Sequence, residues 1–328
     1  MKYKIAIVGT GNVARNSYLP FLSQQEDVVL TYFSRTQSKA HACAEAFGGC
    51  VVDSIEDLHA DQPDAILVLT RETQRYDVTK ALLQGKPKRL FFEKPLVAQH
   101  GQDQVCEDDF FQARDLIQRA RASGTETAMV FNYRFFDHTA RIKRIVAERD
   151  FGQLIHASMF VNYACWSHCI DLLHLFGGRA AQVSALAGSI PYKDAVDVSG
   201  SFCLANGATG TILGTNGFRF DSPLYQVILN FEQGTIRFSD LDVSMDVFDN
   251  TTRYCETYTL IANHSRWDQY RASFAKSLAA YLDTIRRNEP PPVPGMAGLE
   301  ELQFEVALRR SIEQKRPVDV QGEFPLAG

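Results

Sequence analysis

The stretch Lys4-Ile5-Ala6-Ile7-Val8-Gly9-Thr10-Gly11-Asn12-Val13-Ala14 decides the fold of this chain. Its first five residues form a short apolar run that predicts a buried strand, and residues 15–23 can continue as a helix. A strand, a glycine turn and a helix in this order can hold the pyrophosphate of a dinucleotide, because free N–H groups and the helix dipole favour an anion. A purely structural turn is the alternative. The predicted cofactor-binding residues here are Gly9, Thr10, Gly11, Asn12, Val13 and Ala14.

The composition is that of an ordinary globular protein. The chain has 328 residues, of which 45% are hydrophobic and 22% charged, and its net charge is −5. A negative net charge does not favour binding to nucleic acid or to an anionic membrane surface. No apolar run approaches the roughly 20 residues of a membrane span. We therefore expect neither a nucleic-acid partner nor a membrane.

The cysteines indicate the compartment. There are seven of them, an odd number at irregular spacing, which favours free thiols in a reducing cytoplasm. The strand predicted at the start of the sequence leaves no room for a signal peptide. We expect a cytoplasmic protein.

Strand-like and helix-like segments alternate through the first third of the chain. Repeated strand–helix units at this spacing predict a parallel sheet with helices on both faces. We therefore predict an N-terminal Rossmann domain, a doubly wound parallel α/β sheet, over residues 1–133. Its further strands are predicted at residues 28–33, 65–69, 89–92 and 128–131, and its helices at 36–47, 76–83 and 110–122.

The pattern changes after about residue 135. Strands then follow one another without helices, and Asn206-Gly207 is a strong hairpin turn. We predict a C-terminal α+β domain over residues 134–328 with a large, mostly antiparallel open sheet; the last helix could pack back on the first domain. The ligand is expected in the cleft between the two domains. The predicted strands are 154–161, 183–186, 196–204, 209–213, 225–231, 235–238 and 254–261, and the helices 137–149, 167–176, 268–287 and 299–314.

A short charged motif, Glu93-Lys94-Pro95, follows the strand predicted at residues 89–92. Open α/β sheets bind their ligands at the carboxyl ends of their strands. A lysine in a half-buried cleft can donate or accept a proton, and Pro95 can fix the chain locally, through a cis bond if one forms. The alternative is a surface charge pair before a turn.

Together these motifs resemble the Gfo/Idh/MocA oxidoreductases, which are NAD(P)-dependent enzymes acting on sugars, polyols and their derivatives. The resemblance covers nearly the whole chain, and its motifs stand in the family's order. They are the glycine turn at 9–14, Phe92-Glu93-Lys94-Pro95-Leu96, Phe131-Asn132-Tyr133-Arg134-Phe135, Ser167-His168-Cys169-Ile170-Asp171 and the tail from Gly298-Leu299-Glu300 to Lys315-Arg316-Pro317-Val318.

The resemblance implies hydride transfer between C4 of a nicotinamide and a carbon that bears a hydroxyl. It implies that Lys94 stabilises or protonates the substrate oxygen and that His168 is a general acid/base; a buried helix histidine is the alternative. Many members carry an aspartate four residues before this histidine, where this chain has Ala164. The proton relay is therefore changed, or Tyr163 takes part in catalysis. Asp171, one helical turn after His168, orients the helix or the histidine, or forms a structural salt bridge.

The cofactor is predicted to be NADP(H), with NAD(H) as the alternative. An NAD site usually ends its second strand with an acidic residue, whereas this chain has Ser34-Arg35-Thr36. An arginine there can pair with a 2′-phosphate, or it can simply stack on adenine. Thr70 and residues 93–95 complete the predicted cofactor contacts. The segment Arg71-Glu72-Thr73-Gln74-Arg75 departs from the family's usual Pro-Asn-x-x-His.

Substrate contacts are predicted from positions that often face the substrate in the family, namely Tyr133, Arg134 and Asn162, together with Asp171. Arg219 and Tyr225 are further candidates from the predicted sheet. The run Cys165-x-x-His168-Cys169 offers two thiols and an imidazole on one helical face. No matching pair elsewhere completes a four-ligand site, so we predict no metal.

Two other functions stay open at this stage. One is a non-catalytic dinucleotide-binding sensor or regulator on the same fold, which the loss of the aspartate at Ala164 allows. The other is a reductase of a non-sugar carbonyl or a pyrrole pigment. The family also commonly assembles through the open face of the second sheet, so we predict a homodimer or homotetramer through the C-terminal sheet.

Overall fold

The computed structural model describes residues 2–192 and 195–327. The chain divides into two compact units, each of which takes in two stretches of sequence. The first unit comprises Met1–Phe131 and Phe274–Leu302, and the second comprises Asn132–Ser273 and Gln303–Gly328.

The first unit contains a parallel sheet, as the sequence predicts, and it has six strands where five were predicted. Its strand order is β3-β2-β1-β4-β5-β6, and every neighbouring pair is parallel. All four residues of β4 are buried, because helices cover both faces of a parallel sheet of this kind. The strands are β1 (Tyr3–Val8), β2 (Val28–Phe33), β3 (Cys50–Val51), β4 (Ala65–Val68), β5 (Arg89–Phe92) and β6 (Glu126–Met129).

Helices connect these strands. The glycine turn after β1 leads into a π-helical turn, Ala14–Tyr18, which continues directly into α1. Ala14 is fully buried, as expected of a small residue where a helix packs closely on a strand. The further helices of this part are α1 (Leu19–Leu22), α2 (Gln37–Phe47), α3 (Ile55–Asp61), α4 (Glu72–Gln84) and α5 (Glu107–Ala122).

The second unit is built on a nine-stranded sheet in the order β14-β13-β12-β11-β7-β10-β9-β8-β15. Only β7 and β10 pair in parallel within the described chain, so the predicted, mostly antiparallel sheet is confirmed. Its strands are β7 (Leu154–Asn162), β8 (Ala180–Tyr192), β9 (Ala195–Leu204), β10 (Thr209–Thr215), β11 (Tyr225–Phe231), β12 (Gly234–Ser239), β13 (Ser244–Asp249), β14 (Tyr254–Thr259) and β15 (Val318–Asp319).

One face of this second sheet is buried and the other is open. Phe202 on β9 packs edge-on against Phe304, with ring centroids 5.8 Å apart. On β11, buried Val227 alternates with exposed Gln226, as expected for a sheet covered on one side. The later helices are α6 (Asp137–Glu148), α7 (Trp166–Gly177), α8 (Arg266–Arg287), α9 (Met296–Gln314) and α10 (Val320–Glu323).

Two further candidate substrate residues were assigned to the predicted sheet, and only one of them lies on a strand. Tyr225 begins β11 but is only 1% exposed, because its ring packs on the covered face against Tyr133, with centroids 5.6 Å apart. Arg219 does not lie on a strand. It is in the loop between β10 and β11 and forms an exposed ion pair with Asp221 at 3.2 Å.

Candidate active site

The glycine turn after β1 has the backbone that the sequence predicts. Gly9 has a φ of +100°, and a Cβ placed on it would lie 2.6 Å from the backbone nitrogen of Thr70. Only glycine is free of strain in this conformation and at this close approach. A Cβ on Gly11, by contrast, would meet no atom within 4 Å. Within this structure Gly11 leaves open space beside the backbone, which a ligand can approach.

Two threonine hydroxyls near this turn lack partners. Thr10 is 2% exposed, and its Oγ1 and that of Thr70 are buried with no hydrogen-bond partner among the described residues. Buried polar atoms are usually hydrogen-bonded. These hydroxyls, the open side of Gly11 and the free N–H groups of the following helix therefore fit a polar, anionic ligand of the dinucleotide type.

The end of β2 carries the residues that were predicted to choose the cofactor. The Ser34 hydroxyl accepts a hydrogen bond from the Thr36 backbone nitrogen at 3.3 Å. Thr36 is the N-cap of α2, but its side chain makes no capping bond, and the first turn of α2 contains no acidic residue. Arg35 is exposed. The N-terminal end of α2 thus presents positive potential.

The loop after β5 separates its two charged residues. The peptide bond between Lys94 and Pro95 is cis, the form that the sequence left open. Glu93 turns inward, where Oε1 accepts the Tyr18 hydroxyl at 2.6 Å and Oε2 accepts the Lys94 backbone nitrogen at 2.9 Å. The Lys94 ammonium instead donates to Oε1 of Gln102 at 3.3 Å. Glu93 and Lys94 do not form the surface charge pair that was the alternative.

In the second unit, His168 lies in the first turns of α7 and is 3% exposed. Its ring stacks on Tyr133, with centroids 4.1 Å apart and planes inclined by 13°. The Tyr133 hydroxyl donates to Sγ of Cys165 at 3.1 Å, and burial raises the pKa of Tyr133 well above its ordinary value. Tyr133 is therefore a neutral, fixed surface against which the His168 ring is oriented.

Arg134 and Asp171 form a bidentate ion pair. Nε and Nη2 of Arg134 lie 2.8 Å and 2.5 Å from the two carboxylate oxygens of Asp171. The Asp171 side chain is 1% exposed and that of Arg134 is 18% exposed. Because Asp171 is on α7, this pair ties the helix that carries His168 to the turn at residues 132–135. Both residues stay predicted as substrate contacts, and the geometry gives each a partner within the protein.

Asn162 and Tyr163 connect the end of β7 to the start of α7. The amide of Asn162 accepts the Ala164 backbone nitrogen at 2.8 Å and donates to the Phe218 carbonyl at 3.0 Å. The Tyr163 hydroxyl donates to the Val196 carbonyl at 2.7 Å. Burial raises the pKa of Tyr163 to about 12. These groups shape the approach to α7, and their predicted contacts with substrate or reacting atoms remain predictions.

No group of three or more potential metal ligands occurs in the described ranges. In the run considered as a metal site, Cys165 and Cys169 are both buried, and burial raises the pKa of Cys169 well above its ordinary value. A thiol held protonated is a poor metal ligand. Across residues 2–192 and 195–327, no helix has the length and apolar character to cross a membrane.

A family model for an oxidoreductase family with an NAD-binding Rossmann fold, Gfo/Idh/MocA, matches residues 3–129. This range contains both the glycine turn and the Glu-Lys-Pro loop. Residues 3–129 are therefore similar to the Rossmann domain of the Gfo/Idh/MocA oxidoreductase family. The chain matches no curated protein sequence.

Several solved structures share the fold over nearly the whole chain. An oxidoreductase of Agrobacterium radiobacter, in complex with NAD⁺, L-tartaric acid and magnesium, superposes with a TM-score of 0.82 at 15% identity, covering 98% of this chain and all of its own. A levoglucosan dehydrogenase, in complex with NADH and levoglucosan, gives 0.80 at 14% identity, with coverage of 98% and 100%. A UDP-N-acetylglucosamine 3-dehydrogenase of Acidithiobacillus ferrooxidans gives 0.76 at 16% identity, with coverage of 96% and 99%.

The Rossmann domain also contains a residue whose importance the sequence does not reveal. Arg75 on α4 is 2% exposed, and its guanidinium donates to backbone carbonyls of the Glu-Lys-Pro loop. In the sequence it is one arginine within a polar helix and a departure from the family motif. The signal that could have identified Arg75 is a charged residue at a helix position where burial is expected.

Proposed function

We propose that the protein is an NADP(H)-dependent oxidoreductase that moves a hydride between the nicotinamide and the hydroxyl- or carbonyl-bearing carbon of a sugar, a polyol or a derivative. The observation that carries the proposal is the loop after β5, in which Lys94 follows an inward-turned glutamate and its ammonium is bonded to a neutral amide rather than a carboxylate. The carbohydrate dehydrogenases among the structural neighbours support the substrate class.

Two side chains are proposed to handle the proton. When bound, the nicotinamide takes up or supplies the hydride, that is, the hydrogen with its bonding electron pair. In the oxidation direction the substrate hydroxyl also loses its proton. Lys94 can donate to the substrate oxygen, because no carboxylate of the described chain forms an ion pair with its ammonium. His168 is proposed as the general acid/base, since an imidazole can take up and return a proton.

The choice of NADP(H) rests on the residues after β2. The 2′-phosphate would add a doubly charged group at the start of α2, where Arg35 is exposed and no acidic residue precedes the helix. An acidic residue there would bind the 2′-hydroxyl of NAD instead. Replacing Arg35 with alanine should raise the KM for NADP⁺ about tenfold or more and change the KM for NAD⁺ little. Arg121→Ala, an exposed arginine on α5, is the matched control.

The central experiment measures turnover of NADP⁺ and NAD⁺ with sugars, inositols and sugar acids, and of NADPH and NADH with the corresponding ketones. The Lys94→Ala variant should lower kcat by about 100-fold or more, while Lys143→Ala on α6 should leave it unchanged. Undiminished turnover in Lys94→Ala would contradict the proposed mechanism. Tight cofactor binding without turnover of any compound would favour the sensor, and turnover confined to non-sugar carbonyls would favour the other reductase.

Location and assembly complete the proposal. The seven cysteines are all free thiols in the structure, which supports a reducing cytoplasm. We also propose that the open face of the nine-stranded sheet joins two copies of the chain. This face contains a hollow of about 540 Å³ lined by uncharged residues.

A further inference from the structure

One buried cation holds the backbone around the Glu-Lys-Pro loop. Arg75 is among the largest fully buried side chains of the described chain. Its Nη1 donates to the carbonyl oxygen of Glu93 at 2.6 Å, to that of Leu96 at 3.4 Å and to that of Pro95. Its Nη2 donates to the carbonyl oxygen of Thr70 at 2.7 Å. A single guanidinium thus bonds to four carbonyls.

These carbonyls belong to the ends of two adjacent parallel strands. Thr70 follows β4, and residues 93–96 follow β5, its neighbour in the sheet. Thr70 is also the residue whose backbone nitrogen approaches Gly9 in the turn after β1. Arg75 therefore fixes the Glu-Lys-Pro loop relative to the end of β4, which in turn contacts the glycine turn.

The charge of Arg75 is balanced within the same network. Glu93 attracts it electrostatically, and so does Glu72, which opposes the lowering of the Arg75 pKa that burial causes. The Glu93 carboxylate is itself held by the Tyr18 hydroxyl and the Lys94 backbone nitrogen. A planar guanidinium can bond to several acceptors at once, which the compact ammonium of lysine cannot do in the same way.

We propose that Arg75 is a positioning residue for Lys94, a proposal that rests on the proposed role of Lys94 in the reaction. Arg75 bonds to the carbonyl of Glu93 before Lys94 and to that of Pro95 after it. The loop can shift only if these bonds break. Without Arg75 the loop is free to shift, and Lys94 moves out of its working position. A displacement of a reacting group by about 1 Å can lower the rate about 100-fold.

The variants to compare are Arg75→Ala and Arg75→Lys, with Arg121→Ala as the exposed control. Arg75→Ala should lower kcat by about 100-fold, a larger factor than the change in the dissociation constant of the cofactor. Arg75→Lys keeps the charge and most of the volume, so it should fold, as circular dichroism will show, and still lose about tenfold or more in kcat. Wild-type kcat in the folded Arg75→Lys and Arg75→Ala variants would overturn the proposal.

Chemical rescue separates positioning from a general loss of stability. Millimolar guanidinium chloride should raise the kcat of Arg75→Ala at least about tenfold, because the free cation can bond to the same carbonyls. Sodium chloride and methylammonium chloride at equal ionic strength should not. Equal rescue by all three salts, or rescue by none in a folded Arg75→Ala, would overturn the proposal.

Amide hydrogen exchange tests the same idea without turnover. In Arg75→Ala the amides of the segment 93–98 should exchange faster than in the wild type, and guanidinium should slow them again. Absence of turnover of every compound of the panel by the wild type would contradict the proposed function and not the positioning role. Exchange in the segment 93–98 that is unchanged in Arg75→Ala would overturn the positioning role whatever the turnover.

Discussion

At the scale of single residues, the neighbours of His168 explain why its ring has one orientation. Tyr133 stacks on it at 4.1 Å, and the Tyr133 hydroxyl is fixed by Cys165. The Arg134–Asp171 pair then joins the turn that carries Tyr133 to the helix that carries His168. An acid/base group must be held in place before it can transfer a proton efficiently.

The Arg134–Asp171 pair should contribute to stability, because it supplies two charge-assisted hydrogen bonds to a carboxylate that is 1% exposed. Arg134→Gln should lower the free energy of unfolding by about 3 kcal/mol, measured by urea denaturation. The double variant Arg134→Gln with Asp171→Asn removes both charges and should lose less than the sum of the two single variants. Strict additivity of the single effects would contradict a direct interaction.

Tyr163 offers a test of its predicted part in catalysis. Its hydroxyl donates to the Val196 carbonyl, and burial raises its pKa to about 12, so both its bond and its proton affinity favour a structural role. Tyr163→Phe should lower kcat by less than about tenfold, whereas His168→Asn should lower it by about 100-fold or more. The comparison uses steady-state kinetics with one substrate. A loss in Tyr163→Phe equal to that in His168→Asn would instead establish its hydroxyl in the proton relay.

At the scale of elements, α7 also carries a second histidine that should make stability depend on pH. The His174 ring packs edge-on against Phe304, with centroids 5.7 Å apart. Its Nε2 is buried without a hydrogen-bond partner among the described residues. Burial, followed by the charges of Arg134 and Arg179, lowers its pKa from 6.5 to about 3. The folded protein therefore keeps this imidazole neutral at pH values where the unfolded chain protonates it.

The contribution of the neutral His174 to the free energy of unfolding is therefore fully present above pH 6.5, and it is lost as the pH falls toward 3. Between pH 7.5 and pH 5, His174 should remove up to about 2 kcal/mol from the free energy of unfolding. Urea denaturation at a series of pH values measures the loss. His174→Phe should flatten the curve in this range, and the exposed His41→Phe should not. Parallel curves for the wild type and His174→Phe would show that His174 does not titrate differently on unfolding.

The elements that the sequence predicts well are apolar runs bounded by turn residues. β2, β5 and β11 begin and end at the predicted residues, because these runs fill positions in a covered sheet. β13 (Ser244–Asp249) was not predicted, although its buried residues alternate with less buried ones. The structure pairs one of them, Asp246, with Arg237 at 2.7 Å and with the Thr257 hydroxyl at 2.8 Å.

β8 shows a second limit of local patterns. Only residues 183–186 were predicted, because Gly188 and Pro191 are typical of turns. The strand instead runs over Ala180–Tyr192, and its register with β9 shifts between Ala187 and Pro191. An irregular strand near a sheet edge tolerates glycine and proline.

The candidate site divides in the same way. The turn at Gly9 follows from local sequence, and Pro95 makes a cis bond one of the possibilities, because a tight turn and a proline act on their own backbone. The network of Arg75 does not, because its acceptors come from two strand ends that only the folded sheet brings together. Likewise, the sequence leaves a salt bridge of Asp171 as one of several roles and does not identify Arg134 as its partner.

At the scale of the whole molecule, the open face of the nine-stranded sheet is the surface that we propose joins two copies of the chain. Serine and threonine hydroxyls and apolar side chains such as Phe160 and Leu186 line its hollow, and no lining residue is charged. Phe160 and Leu186 are 38% and 75% exposed. Under two-fold symmetry the same patch meets itself, so this uncharged hollow can meet its copy without like-charge repulsion.

A charge placed on this face should therefore separate the copies. Thr211 is exposed on β10 within the hollow, and Thr211→Arg would bring an arginine from each copy into one desolvated contact. Light scattering after size exclusion should give at least twice 36.8 kDa for the wild type and 36.8 kDa for Thr211→Arg. Gln118→Arg, on the exposed side of α5, should keep the wild-type mass. A monomeric wild type, or an unchanged oligomer in Thr211→Arg, would show that this face does not join two copies.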